Sequence, residues 1–352
     1  MSRFFQKKIT PYVPGEQPAD MERYVKLNTN ESPYPPSPAA LSWAAEHARS
    51  ANLYCDPDCR ALREKLAEAC GLSPEDILPA NGSDEILNFA FMAFCGGDRG
   101  ALFPDITYGF YPVFAAVNGV RYEEIPLRGD FKIDVEDYLG QNKTIFIANP
   151  NAPTGLCLSP SEIERVAASN PDGVVVVDEA YIDFGGESCL PLVRKYDNLL
   201  VTQTFSKSRS MAGARLGFGA GCRALIEDLN TIKYSTNPYN VNSMTQALAL
   251  GTLADGAYTK RNCAAIIETR EYTTAELRRR GFEVLESAAN FVFARAPAMD
   301  GGTLYRALKE KGVLVRHFDK PRIADFNRIT IGTKEQMDAF LRAIDEILEG
   351  KT

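Results

Sequence analysis

Histidine and tryptophan are scarce in this 352-residue chain, which has only His47, His317 and Trp43. With so few imidazoles, and eight cysteines scattered apart from the Cys55/Cys59 pair, the ligand supply for a zinc centre is thin and no metal is expected. A cationic excess is also missing. Lys and Arg total 39 against 46 Asp and Glu, for a net charge of −7, so the chain has no general means of neutralising a nucleic-acid backbone. No stretch approaches the roughly 18 apolar residues of a membrane span, and the start, Met1-Ser2-Arg3-Phe4-Phe5-Gln6-Lys7-Lys8, lacks a signal peptide's apolar run. A soluble cytoplasmic protein with reduced thiols is the expectation.

What is present has the composition of an ordinary globular protein, 45% hydrophobic and 24% charged, at a length that suits two domains. Residues 9–38 are rich in proline and turn formers, so this segment must lie across something else. Arg60 to Cys70 has helical spacing and stops at Gly71. Strands are expected at Ile77–Ala80, Ala101–Phe103, Thr144–Ala148, Val174–Val177 and Leu199–Thr202, with helices at Glu85–Met92 and after the Ser159-Pro160-Ser161-Glu162 cap. Apolar strands alternating with helices predict a mostly parallel sheet covered on both faces, with ligands gathering at the C-terminal ends of its strands. After Gly251 a long helical region runs to Gly281. Strands at Asn290–Phe293 and Arg328–Ile331 then bracket a helix at Thr303–Lys309, and a last helix covers Lys334 to Leu348, which together make a small α+β domain.

Several residues at strand ends carry chemistry. Asp178 follows four valines, Val174 to Val177, and either caps the next segment or offers a buried carboxylate to a pyridinium nitrogen. Tyr181 is an ordinary packing residue or a phenol donor to the 3-oxygen of such a ring. Lys207 follows a strand through Ser206; in that setting it is a surface lysine or an amine that forms an imine and then moves protons. Asn81-Gly82-Ser83-Asp84-Glu85 opens a helix, either as a plain cap or as a phosphate seat completed by Ser206 and Arg215. Tyr108 is placed to stack on a planar ligand or to pack in the core. Asn149 to Gly155 forms a rigid turn whose asparagines reach a ligand or close the turn. Arg328 starts a strand and holds a carboxylate or a surface ion pair. His317 and Cys189 show no nucleophile and base arrangement.

In their order and separation these residues, from Leu27-Asn28-Thr29-Asn30-Glu31 to Arg328-Ile329-Thr330-Ile331-Gly332-Thr333, resemble the histidinol-phosphate aminotransferase family of fold-type I enzymes that depend on pyridoxal phosphate (PLP). The resemblance implies a seven-stranded, mostly parallel sheet between helices. It also implies an N-terminal segment over 1–37, a large cofactor-binding domain over 38–245 and a small C-terminal domain over 246–352. Lys207 is then the Schiff-base lysine, Asp178 the partner of the ring nitrogen, Tyr181 the ligand of the 3-oxygen and Tyr108 the stacking ring. Gly82, Ser83, Ser206 and Arg215 form the phosphate cup. Tyr54 serves the site of a neighbouring subunit, which makes the chain a homodimer. Tyr12, Asn30 and Arg328 bind substrate. The chain departs from the family at Ala152, where an asparagine often precedes Pro-Thr-Gly; either Asn151 substitutes from a shifted position or Tyr181 holds the 3-oxygen without help. The implied reaction moves an amino group between histidinol phosphate and 2-oxoglutarate in histidine biosynthesis. Aromatic amino acid transamination, threonine-phosphate decarboxylation and a catalytically silent binding protein remain as alternatives.

Overall fold

The structure, a computed structural model, describes residues 3–5, 7 and 9–350. In chain order the strands are β1 (Val25–Lys26), β2 (Ile77–Ala80), β3 (Ala101–Pro104), β4 (Tyr122–Ile125), β5 (Thr144–Ala148), β6 (Val175–Asp178), β7 (Leu199–Thr204), β8 (Gly217–Ala220), β9 (Glu283–Val284), β10 (Phe291–Arg295), β11 (Val313–Leu314), β12 (Arg316–His317) and β13 (Phe326–Thr330). The helices are α1 (Pro38–His47), α2 (Arg60–Cys70), α3 (Ser83–Phe94), α4 (Tyr111–Asn118), α5 (Pro160–Ser169), α6 (Arg223–Thr236), α7 (Ser243–Ala254), α8 (Gly256–Arg279), α9 (Gly301–Glu310) and α10 (Lys334–Leu348).

Seven strands form the large sheet in the order β2-β8-β7-β6-β5-β3-β4. All neighbours are parallel except those of β8, which runs antiparallel to both β2 and β7. The valine run shows why the sheet is covered on both sides. Val175 and Val177 belong to the core shared with Leu62 and Leu66 of α2 and Ile163 of α5, whereas Val176 belongs to the opposite core with Ile86 and Phe91 of α3 and Phe114 of α4. A strand buried on both faces cannot alternate apolar with polar, and so it reads as a continuous apolar run.

Helix ends follow their sequence signals. Gly71 ends α2 in the left-handed region at φ 66°, and Ser159 with Glu162 forms a reciprocal capping box at α5. Two elements carry weaker signals: β4 is an exposed edge strand, and β8 is half glycine. The glycine at 217 is required, because a Cβ there would stand 2.3 Å from the Ser83 backbone nitrogen at the start of α3.

The small unit packs α8, α9, α10 and the four-stranded sheet β12-β13-β10-β9 around a core that also takes in Leu27, Ala152, Tyr181 and Phe184. Ala249 of α7 packs into the large-sheet core, whereas Cys263, Ile266 and Leu277 of α8 pack into the small one. Position 245, the expected end of the large domain, lies within α7, and the Asp255 side chain caps the following α8. The N-terminal segment spans both units: β1 pairs with β11, Lys7 Nζ donates to the Val117 carbonyl, and Tyr12 packs on Phe110 at 4.5 Å.

Candidate active site

The C-terminal ends of β3, β5, β6 and β7 converge with the start of α3 on one concave region. Its inner part is lined by Ser83, Asp84, Tyr108, Ala152, Asp178, Tyr181, Ser206, Lys207 and Arg215, among others. Tyr108, Ala152, Tyr181 and Lys207 also line an outer cavity of about 580 Å³ that extends to Tyr12, Asn30, Arg316 and Arg328. Parallel strands delivering their ends to one edge thus bring residues from 12 to 328 together.

At the floor, the Asp178 carboxyl is buried and accepts the Ala180 N–H at 3.2 Å. Burial, and secondly the neighbouring Asp84, push its pKa up to about 7. The Lys207 amine donates to the Thr29 carbonyl at 3.1 Å and lies 5.9 Å from the centre of the Tyr181 ring. Burial, then the cation of Arg328, lowers its pKa to about 8. The lowered lysine suits a site that must hold a neutral amine near neutrality, whereas the carboxyl is raised by burial and ionises fully there only beside a cation. Tyr181 accepts from the Asn30 amide at 3.0 Å and packs edge-on against Phe291. Its hydroxyl pKa is raised, chiefly by burial.

A candidate anion seat lies at the start of α3, where Ser83 shares the lining with Arg215. Gly82 has φ 82°, and a Cβ there would meet the Arg215 guanidinium at 2.6 Å. Arg215 also has a left-handed backbone, φ 54°, and donates to Asp84 at 3.0 Å. Asp84 in turn accepts the Tyr108 hydroxyl at 2.6 Å, so one carboxylate fixes both the aromatic wall and the cationic fork. Asp84 had only a cap's signal in the sequence, and its bridging role depends on the turn between β3 and α4. Gly82→Ala is expected to cost about 1–2 kcal/mol in stability from the left-handed backbone alone and to weaken anion binding besides. Gly71→Ala is the control, being left-handed but with nothing within 4 Å of its Cβ. A titration of both variants with pyridoxal phosphate separates strain from collision with Arg215.

Other expected residues take these places. The Asn151 amide donates to the Ile106 carbonyl at 3.0 Å and to Thr154, and its oxygen accepts from Thr107 at 2.7 Å. With both ends bonded within the turn, it is absent from the lining, whereas Ala152 lines both parts of the region. Asn30 spends its oxygen on Thr330 and its amide on Tyr181, and it borders the outer cavity. Tyr54 lies outside the region, 83% exposed and stacked on Tyr239 at 4.4 Å.

Arg328 is the third residue of β13 rather than its first, and it pairs directly with Arg316 of β12. Both guanidiniums line the outer cavity. Arg316 holds the Pro14 and Val13 carbonyls, and Arg328 donates to the Asn28 carbonyl at 3.1 Å while its Nε is buried without a partner. The register of β12 against β13 singles out Arg316, which sequence alone could not do. Arg209 instead pairs with Asp183, and Arg322 with Asp105.

The sequence pattern of the family described as aminotransferase class I and II matches residues 22–344. The chain belongs to this family. Histidinol-phosphate aminotransferase 1 of Bradyrhizobium diazoefficiens is 48% identical over 351 residues, 99% of this chain and 100% of that protein. Among solved structures, the histidinol-phosphate aminotransferase of Sinorhizobium meliloti in complex with pyridoxal-5'-phosphate superposes with a TM-score of 0.87 at 24% identity, covering all of both chains. The L-threonine-O-3-phosphate decarboxylase of Porphyromonas gingivalis gives 0.79 at 23% identity over 92% of this chain and 99% of that one. Both likenesses concern the fold, and the fold therefore does not choose between transamination and decarboxylation. As an aminotransferase of this family the chain uses pyridoxal phosphate, and its residues fit that group. Gly82 leaves the space beside Arg215, Asp178 offers a buried carboxyl, and Lys207 offers an amine of lowered basicity.

Proposed function

We propose that the chain is a histidinol-phosphate aminotransferase that transfers an amino group reversibly between histidinol phosphate and 2-oxoglutarate, in histidine biosynthesis. The observation that carries the substrate reading is the side-by-side placement of Arg316 and Arg328 on β12 and β13. Like charges directly opposite each other in a sheet repel, and here the Arg328 Nε is also buried unpaired. Among the described residues lining the outer cavity none is acidic, while Lys207 and Lys320 add to the two arginines. Such a cavity suits a dianion, which an arginine fork binds bidentately. Tyr12, Tyr122 and Phe318 on its walls suit a flat ring.

The cofactor, bound at Lys207, supplies the electron sink for the carbon that loses its proton. Asp178 is placed to hold the ring nitrogen as a cation. Arg215, Ser83 and Ser206 hold the phosphate, with Gly82 leaving room, and Tyr108 covers the ring. Tyr181, steadied by Asn30, serves the 3-oxygen alone, since Ala152 has no donor and Asn151 is occupied. The Lys207 amine moves the proton at its Nζ, and its lowered pKa leaves a useful neutral fraction near neutral pH.

Cofactor capture requires Lys207 neutral and Asp178 ionised. Both fractions grow with pH, so affinity for pyridoxal phosphate is expected to fall as pH drops through about 8 and then about 7. Equilibrium titrations of the cofactor-free chain across this range check the direction.

Homodimerisation belongs to the same reading. Leu41, Trp43, Leu53, Tyr54, Tyr239 and Met244 are all at least 42% exposed, a concentration of apolar side chains that a second copy would cover. Tyr54 would thereby reach the partner's phosphate seat. No helix among the described residues is long and apolar enough to cross a membrane, and all eight cysteines are unpaired, which accords with a cytoplasmic place.

The test is a donor panel of histidinol phosphate, histidinol, phenylalanine and O-phosphothreonine. The reading expects histidinol phosphate to have the highest kcat/KM, and histidinol to lose it by about 100-fold or more, the effect of about 3 kcal/mol at a buried charge contact. Preference for phenylalanine would move the assignment to aromatic amino acids, and carbon dioxide release from O-phosphothreonine would move it to decarboxylation.

A further inference from the structure

Tyr111 opens α4 three residues after Tyr108 and has no part in the chemistry above. Its ring is fully buried, with Tyr108 edge-on at 5.7 Å and Phe146 at 5.6 Å. Its hydroxyl makes no hydrogen bond of full geometry, although the Asp178 carboxyl is near enough to act on it as an acceptor. An unpaired buried hydroxyl is costly, and phenylalanine would fill the same space without that cost.

Strand alternation shows which face of the sheet the ring shares. Phe146 of β5 and Val176 of β6 belong to the core on the α3 and α4 side, together with Tyr111, whereas Ile145, Ile147, Val175 and Val177 belong to the other side. Two residues beyond Val176, on the same face and at the strand's C-terminal end, stands Asp178. A ring packed on Phe146 therefore shares a face with the Asp178 carboxyl. Among charged groups Asp178 acts on this phenol most strongly, followed by Asp84.

We infer that Tyr111 is a positioning residue that donates its hydroxyl to the ionised Asp178 carboxylate and holds it toward the cofactor's ring nitrogen. This rests on the proposed cofactor site, because only a cationic partner keeps Asp178 ionised at neutral pH. A hydrogen bond given to the charged form favours that form, so Tyr111 opposes the groups that keep Asp178 protonated. Around Asp178, Asp84 of α3 and the adjacent Glu179 favour protonation. Lys207 and the Ala180 N–H favour the anion, and the phenols of Tyr108 and Tyr181 also face it.

Tyr111→Phe removes only the oxygen. Three quantities report on it: the Tm of the cofactor-free chain, the dissociation constant for pyridoxal phosphate, and the pH at which that affinity halves on the acid side. The expected result is an unchanged or higher Tm, a dissociation constant raised about ten-fold, and an acid midpoint moved up by about one pH unit. In an Asp178→Asn background the same substitution should change affinity less than about two-fold, because sites acting as one unit are not additive. Unaltered affinity and midpoint in Tyr111→Phe would overturn the inference. So would a ten-fold loss that persists in the Asp178→Asn background, since packing alone would then be its cause. Failure of the unsubstituted chain to bind pyridoxal phosphate would instead strike the proposed function, and this inference with it.

Discussion

Lys207→Ala is expected to lower kcat by about 10⁴-fold or more, the upper range for a general acid and base, because the same amine both anchors the cofactor and moves the proton. The loss should be one of chemistry and not of folding. The Lys207 side chain donates to the Thr29 carbonyl and otherwise faces the cavity. The sign of the stability change follows from its pKa, which is lowered from the usual 10.5 to about 8. A group depressed in this way disfavours the folded state as pH falls through the unfolded value, most fully below the folded one. Removing it therefore leaves the cofactor-free Tm at pH 7 equal or higher, which calorimetry checks alongside single-turnover kinetics. A fall in Tm together with lost activity would assign Lys207 a structural role.

Arg328→Ala is expected to lower kcat/KM for histidinol phosphate by about 100- to 1,000-fold, since removing one member of a buried charge contact costs about 3–4 kcal/mol. Histidinol, which lacks the phosphate, should lose much less. Arg316→Ala should weaken phosphate discrimination too, with an added cost, because its guanidinium also holds the Val13 and Pro14 carbonyls and so carries the segment that brings Tyr12 to the cavity. Equal losses for histidinol and its phosphate would show that Arg328 acts by packing on Phe291 and Phe318, over whose rings it lies at 5.4 and 5.6 Å.

The parts of the site legible in the sequence were those fixed by local rules. Four valines before Asp178 specify a strand buried on both faces, and its end is where a parallel sheet presents polar groups. Lys207 follows a strand in the same way, and Gly82 sits where a tight turn meets a helix start. The remainder was set by tertiary register. Arg316 gains its meaning only when β12 lies against β13, and Arg328 only when the Asn28 carbonyl crosses it. The two uses of the Asn151 amide are not separable in the sequence, and in the fold the turn through Ile106, Thr107 and Thr154 takes both ends. Glycines obscured β8, although their lack of a side chain is what lets that strand pass the Ser83 backbone. Helix α1 also went unread; its close approach to α7, where a Cβ on Gly251 would meet the Ala40 Cα at 2.6 Å, depends on a partner distant in sequence.

The most direct measurement incubates the purified, cofactor-loaded chain with histidinol phosphate and 2-oxoglutarate and follows glutamate formation against donor consumption. Equal amounts of the two are expected, dependent on Lys207, at micromolar to low-millimolar donor, roughly the range in which enzymes work. A chain that binds the cofactor at Lys207 yet forms no glutamate from histidinol phosphate would contradict the proposed function.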